Sequence, residues 1–314
     1  MLLLSRSHDP YLNLAIEDAL FRTYSGVEPV LYLWVNAPSV IIGQNQNVWK
    51  ECRLEAMKRD NVNLVRRQSG GGAVYHDIGN LLFSFIMPDK EAAEEFSYGV
   101  VLDSLTALGI NAVRSGRNDL EIEGRKCSGS AYMHSKGAFL HHGTLLVSCD
   151  FERLNEYLEP SELKLSAKGV DSVRKRVVNI NEIKADITTD DVIAALCDRF
   201  AKGQTPLDAA DIADKEHVKR VYNMLKGEEF LYGSTPPFDV DLSFKTQKGE
   251  YQLLISVKNA VIEKAHVYTD DLDTFAAQRI KTALEGIRFD REHMAKNCAH
   301  IDPELAEALK NSDI

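Results

Sequence analysis

The sequence predicts an α+β protein: a large domain that mixes strands and helices, followed by a small α+β domain. Short β-branched and aromatic runs interleave with helix-period segments up to Tyr232. The Gly233-Ser234-Thr235-Pro236-Pro237 break interrupts that pattern. Three strand-like runs and then three helical segments follow it. At 314 residues the chain has room for one large core and one small one. The division is set at residues 1–232 and 236–314.

Asp9-Pro10 opens the first helix, with Asp as N-cap and Pro in the first turn. Leu12, Ala15, Ile16, Ala19 and Leu20 share one of its faces. Val30 to Val35 and Val40 to Gly43 read as strands separated by the turn Asn36-Ala37-Pro38. Asn47 caps a helix that runs to about Arg59. Asn63 to Arg67 is a strand entering a glycine loop, and Ala73 to Asp77 and Leu81 to Met87 are strands leaving it. Glu91 to Leu108 has helical spacing and stops at Gly109. Asp119 to Glu123 and Lys126 to His134 form a hairpin around Gly124-Arg125, and Ala138 to Ser148 is a further strand. Leu163 to Val178 is rich in Lys and Arg and poor in large apolar side chains, and reads as a long mobile loop. Thr188 to Ala201 is a helix with a capping-box start. Gly203 to Ala213 reads as a linker and Asp214 to Lys226 as a charged helix. Beyond the break, strands are expected over Phe238 to Lys245, Tyr251 to Val257 and Ala260 to Tyr268. Helices are expected over Asp271 to Leu284, Arg291 to Asn297 and Pro303 to Asn311.

Composition excludes several classes of function. A net charge of -10 argues against nonspecific nucleic-acid binding, which needs a basic face. The N-terminal Met-Leu-Leu-Leu run is too short for a signal peptide or a membrane span. Five widely spaced cysteines with no CxxC pair read as reduced cytosolic thiols. The expectation is a cytoplasmic monomer that engages neither nucleic acid nor membrane.

The most specific stretch runs from Arg66-Arg67-Gln68-Ser69-Gly70-Gly71-Gly72 to Asn80. Three adjacent glycines carry an entropic cost and no packing value. They suit backbone that turns sharply or lies against a ligand, although a glycine cluster alone is more often a flexible hairpin. The two arginines offer fixed charge for phosphate or carboxylate. The segment lacks the Gly-Lys-Ser/Thr ending of a P-loop. It also enters a strand rather than a helix, unlike a dinucleotide fingerprint. Consecutive amides around the glycines can still cradle an anion.

A second cluster covers Ser115 to Leu120 and Gly124 to Ala131. A lysine such as Lys126, between small residues in a strand, is commonly a solvated group; the alternative is a cation holding two anionic groups together. Asp119 is a turn residue or a Mg²⁺ ligand. Cys127 and Cys149 sit in apolar strand-like runs, where cysteine is usually a small buried hydrophobe rather than a nucleophile. His141 and His142 point to opposite faces of one strand and cannot chelate one ion. Trp34 and Trp49 read as core aromatics, with Trp34 also able to wall a ligand slot. Five cations between Lys164 and Arg176 suit a polyphosphate or an acidic partner.

Taken together, these stretches resemble the lipoate–protein ligase A family. The matching pieces are Leu33-Trp34, Ile42 to Asn47, Arg66 to Asn80, Gly116 to Asp119, Arg125 to Ala131, His141 to Leu145 and Lys168 to Asn179, in the family's order. The tail matches more loosely through Tyr232 to Pro236. The resemblance implies a catalytic domain with mixed β-sheets flanked by helices, related to biotin protein ligases and class II aminoacyl-tRNA synthetases, plus an accessory domain. It implies that lipoate and MgATP give lipoyl-AMP, and that the lipoyl group then passes to a lysine of an apo lipoyl domain, on an E2 subunit of a 2-oxoacid dehydrogenase or on glycine-cleavage H protein.

The resemblance also implies residue roles. Lys126 is the catalytic cation. Arg67, Gly71, Gly72, Ala73, Val74, Tyr75, His76, Asn80, Asn118, Lys168 and Arg174 bind ATP or the adenylate. Trp34, Arg67, Ser69, Gly72, Lys126, Ser130 and His142 bind lipoate, and Asp119 holds Mg²⁺. ATP with Mg²⁺ enters as substrate, with no tightly bound prosthetic group. Gln44-Asn45 departs from relatives that carry arginine there. The rival readings are an octanoyl or lipoyl transferase using Cys149, a transferase accepting only preformed lipoyl-AMP, and a noncatalytic binder of lipoylated domains.

Overall fold

The computed structural model describes residues 1–158, 176–232 and 238–312. The strands are β1 (Leu2–Leu4), β2 (Val30–Val35), β3 (Ser39–Ile42), β4 (Asn63–Arg66), β5 (Val74–His76), β6 (Asn80–Pro88) and β7 (Val113–Ser115). They continue with β8 (Asp119–Ile122), β9 (Arg125–Ser135), β10 (Ala138–Leu146), β11 (Leu207–Asp208), β12 (Val240–Lys245), β13 (Glu250–Lys258) and β14 (Val261–Thr269). Among the described residues they form three sheets.

The large sheet has the order β11-β1-β2-β6-β10-β9-β8-β7. β1 runs parallel to β2 and β11, while β2, β6, β10 and β9 are antiparallel neighbours. The centre of this sheet is covered on both faces, so its strands are continuously apolar rather than alternating. Leu31 and Leu33 of β2 join one core with Leu81, Phe83 and Phe85 of β6. Tyr32 and Trp34 join the other core with Leu82 and Ile86. Helices Ala93–Ala107 and Thr189–Ala201 close the first face. Helices Pro10–Arg22 and Lys215–Lys226 close the second.

The local start signals are where the sequence puts them. The Asp9 side chain accepts the Tyr11 and Leu12 amides ahead of Pro10, and Thr188 with Asp191 forms a capping box. A small sheet, β4-β3-β5, carries the strands on either side of the glycine loop. The antiparallel sheet β12-β13-β14 packs on helices Ala276–Leu284, Arg291–Cys298 and Pro303–Lys310 around a separate core.

One strand carries no sequence signal, and three local readings need correction. Leu2–Leu4 is a buried strand, since a parallel partner on each side satisfies its backbone. The stretch from Gly203 to Ala213 is not a loose linker: β11 pairs with β1, and Ala209 and Ala213 are buried in the core because small side chains allow close approach. The helix expected from Asn47 to Arg59 breaks into Val48–Glu51 and Leu54–Arg59. Extended Cys52 forms a bridge to Leu158 at the break. Trp49 lies at the surface, 60% exposed and stacked on Tyr232 at 5.2 Å, rather than in the core. The basic stretch around Lys168 and Arg174, and the break at Gly233 to Pro237, lie outside the described residues.

Candidate functional site

The glycine loop leaves β4 and returns along β5, and buried arginines fix it from beneath. Arg67 Nε donates to Ser69 Oγ (2.9 Å) and Gly70 O (3.1 Å). Its Nη2 donates to Gly70 O (2.6 Å) and Gly72 O (2.8 Å), and its Nη1 to Ile41 O (3.1 Å). Arg66 similarly donates to the carbonyls of Gly43, Gln44, Gln46, Phe230 and Leu231. Burial pulls each guanidinium down to about 10, so both stay charged at neutral pH. Nearly all of their donors hold main-chain carbonyls, and Arg67 also lines the cavity.

Gly71 sits at φ +89°, where a side chain is strained. Its amide donates to Asp271 O (3.2 Å) in the C-terminal part of the chain. A Cβ at Gly70 would lie 2.3 Å from that same Asp271 carbonyl. Further clasps join the two parts: Thr269 N donates to Asn45 O (2.7 Å), and Asn45 Nδ2 to Thr274 O (3.0 Å). Arg117 donates to Lys248 O.

The loop borders a cavity of about 150 Å³. Leu14, Trp34, Ile41, Val74 and Leu82 make its walls largely apolar, and Lys126 lies on the same lining as Gly71 and Gly72. A β-bulge puts Lys126 there. Asp119 pairs with Gly129, yet Glu121 pairs with Lys126, so Cys127 is the extra residue. Lys126 thus shares a face with Gly129 and Asp119, while Cys127 enters the core. A Cβ at Gly129 would lie 2.8 Å from Lys126 Nζ. The bare backbone lets the lysine lie across it, with Nζ 2.7 Å from Asp119 Oδ1.

A buried hydrogen-bond chain forms the floor. Arg67 Nε–H donates to Ser69 Oγ, whose hydroxyl meets His142 Nε2 at 2.8 Å. His142 Nδ1 meets Glu17 at 2.9 and 3.0 Å. Glu17 also accepts from Ser84 Oγ (2.5 Å), which accepts from Trp34 Nε1 (3.0 Å). With the His142 ring proton on Nδ1, every donor in this chain has an acceptor.

His76 stands on the wall with a different arrangement. Asn36 Nδ2 donates to His76 Nδ1 at 3.1 Å, which puts the ring proton on Nε2. That nitrogen is buried and has no hydrogen-bond partner. Burial, followed by the charge of Arg67, depresses the ring to about 3, so it offers a neutral donor.

The cavity lining takes in Trp34, Arg67, Gly71, Gly72, Ala73, Val74, His76, Asn118, Lys126, Ser130 and His142 of the residues expected at the site. Ser69 reaches the site through His142, and Asp119 through Lys126. Neither of those two lines it, and nor do two further expected residues. Alternation along β5 sends Tyr75 into the core beside Tyr157. Asn80 is buried and donates from Nδ2 to Tyr75 O (3.1 Å), so it braces the strand from behind. Lys168 and Arg174 lie outside the described residues.

Sequence reading missed Glu17, Leu14, Ile41 and Leu82. Glu17 carried a usable signal, because it is a carboxylate on a helix that is buried over most of its surface. All five cysteines are unpaired. Burial pushes Cys127 up to about 12 and raises Cys149 further. Among the described residues no cluster of three or more His, Cys, Asp or Glu side chains is arranged to hold a metal ion. No helix there is long and apolar enough to cross a membrane.

Among the described residues, the lining combines an apolar slot, one ammonium and a glycine turn, which can accommodate a molecule with an apolar tail and an anionic head. The chain belongs to the lipoate–protein ligase family. Residues 9–201 match the model of the lipoyl protein ligase A/B catalytic domain, and residues 235–314 that of the bacterial lipoate protein ligase C-terminus. The chain is 36% identical to lipoate-protein ligase A of Psychrobacter cryohalolentis, over 96% of this chain and 93% of that protein. Among solved structures it resembles P. falciparum LipL1 in complex with lipoate, with TM-score 0.86 and 30% identity over 99% of each chain. It also resembles a lipoate-protein ligase A bound with ATP, with TM-score 0.62 and 28% identity over 74% of this chain and 98% of that one.

Proposed function

We propose that this chain is an ATP-dependent lipoate–protein ligase. In the first step the lipoate carboxylate attacks the α-phosphorus of ATP. The bond between α-phosphorus and the bridging oxygen breaks, giving lipoyl-AMP and pyrophosphate. In the second step a lysine amine of an apo lipoyl domain, on an E2 subunit or on H protein, attacks the acyl carbonyl. AMP leaves and the nitrogen loses a proton.

The observation that carries this reading is Lys126, which lines the same largely apolar cavity as the glycine turn, with its ammonium fixed beside Asp119. A carboxylate meeting a phosphate faces repulsion between anions. One fixed cation neutralises both and aligns them, so catalysis comes through position and field without a covalent enzyme intermediate. The His76 Nε2–H and the Ser130 hydroxyl are buried on the same lining without partners, and suit ligand oxygens. Asp119 Oδ1 has no aligned hydrogen bond, and a carboxylate in that state fits a magnesium ion brought by nucleotide. Asp119 would hold the ion, which would neutralise phosphate charge. The walls exclude water from the adenylate, a mixed anhydride.

Residues 1–232 are proposed as the adenylating and transferring domain, and residues 236–314 as the accessory domain seated on its glycine loop. The separate core of the C-terminal part supports that division. The Cys149 transferase reading is disfavoured, because the residue is 3% exposed and burial holds its thiol protonated.

The test is lipoate-dependent exchange of labelled pyrophosphate into ATP by the purified chain. Exchange is expected. A folded chain that transfers preformed lipoyl-AMP to an apo lipoyl domain but catalyses no exchange would overturn the ATP-dependent reading.

A further inference from the structure

We propose that Asp119 guards Lys126 in the empty site, so that lipoate binds well only once a magnesium–nucleotide complex has drawn the carboxylate away. This rests on the ligase reading above. The bulge and the missing Cβ of Gly129 lay the lysine directly against Asp119, at 2.7 Å. The two side chains are 38% and 31% exposed, and Lys126 lines the cavity. Asp119 Oδ1 is itself buried, and the Lys126 ammonium is its partner there. Glu121 stands across the ladder from Lys126 and adds a second negative group on that face.

A free carboxylate approaching Lys126 meets an ammonium already neutralised, with a like charge beside it. Attraction to Lys126 is offset by repulsion from Asp119. A divalent cation on Asp119 reverses the balance, because it removes the repulsion and leaves Lys126 unpaired for the incoming acid. Nucleotide and lipoate then bind with positive coupling, which by linkage is the same in both directions. The arrangement disfavours a site loaded with acid alone.

Asp119→Asn keeps the shape and removes the charge. Binding of lipoate to the wild-type and variant chains is measured by calorimetry, with and without magnesium and a non-cleavable ATP analogue. Without nucleotide the variant is expected to bind lipoate about tenfold more tightly than wild type, within the usual range of site-to-site coupling. The tightening that the magnesium–analogue complex gives wild type is expected to shrink to near nothing in the variant. Lipoamide, which has no charge, should bind both proteins equally, a result that a change of pocket shape would not give. If the variant binds lipoate no better than wild type without nucleotide, while wild type responds to nucleotide, the guard is refuted and the ligase reading stands. If neither protein binds lipoate under any condition, the ligase reading fails and the guard with it.

Discussion

Gly129→Ala tests how tightly the site fixes its cation. The new methyl would sit 2.8 Å from Lys126 Nζ and 3.0 Å from Cε. Ordinary contact begins at 3.4 Å, so the ammonium must retreat by at least 0.6 Å. It is the free end of a flexible side chain, and Gly129 is not in the left-handed region, so the backbone has no reason to move. Stability should change by less than about 1 kcal/mol, since alanine is also the better strand residue. Activity should respond differently, because a misplacement of about 1 Å in a reacting group can lower a rate on the order of 10²-fold. Pyrophosphate exchange is therefore expected to fall by about tenfold or more, by that same scaling, with an unchanged melting temperature. Lys126→Ala should lower exchange on the order of 10² or beyond, as for loss of a positioned electrostatic group. With the lysine gone, the nearest atom to the Gly129 methyl is Asp119 Oδ1 at 3.7 Å, an ordinary contact. The double variant should then match Lys126→Ala alone. A folded Gly129→Ala chain exchanging within about twofold of wild type would refute the proposed positioning, since the scaling above requires more.

Other expectations follow from buried groups. Arg67→Ala removes a guanidinium that holds three carbonyls and a hydroxyl, so unfolding free energy should drop by roughly 3 kcal/mol or more in urea titrations; a stable variant impaired only in ATP affinity would favour direct ligand contact instead. Burial depresses His76 and His141 to about 3, whereas an unfolded histidine titrates near its ordinary value. Between about pH 6.5 and 3 the unfolded chain then binds protons that the folded chain does not, so stability falls as pH drops through that window, by up to about 1.4 kcal/mol per pH unit for each ring. Denaturation curves at pH 7, 6 and 5 should show this slope, and His76→Gln should reduce it by one proton; an unchanged slope would place the His76 ring within reach of water. Cys149→Ala should retain exchange activity, and an inactive but folded variant would favour the cysteine transferase.

The parts of this molecule that sequence made legible are those decided by neighbours along the chain. Asp9-Pro10 and Thr188 to Asp191 announce helix starts because the cap and the amides it satisfies lie within three residues. The apolar run of β6 announces a strand because both of its faces are covered. Tertiary pairing decided the rest. Three leucines at the N-terminus carry no strand signal until β2 and β11 lie beside them. Cys52 opens the helix expected from Asn47 to Arg59 through its bridge to Leu158, far along the chain. At the site, residue types pointed to Lys126, but the bulge at Cys127 that aims it is a matter of register. Arg67 was read from its charge, while its partners are carbonyls, which no side-chain pattern encodes.

The triple glycine looks uniform in sequence and serves three ends. Gly70 lacks a side chain because the carbonyls of Asp271 and Leu272 would lie 2.3 and 2.7 Å from its Cβ, so it answers to docking of the C-terminal part. Gly71 answers to the turn, with its positive φ. Nothing lies within 4 Å of a Cβ at Gly72, although it lines the cavity, so that position is kept open toward whatever fills the slot. Arg67 ties the first and third together by holding both carbonyls. A run that would otherwise be floppy is thereby held in one conformation before any ligand arrives, and little ordering entropy is left for the ligand to supply. The two arginines therefore restrain the backbone of the loop, and Lys126 is the lining cation proposed to face the chemistry.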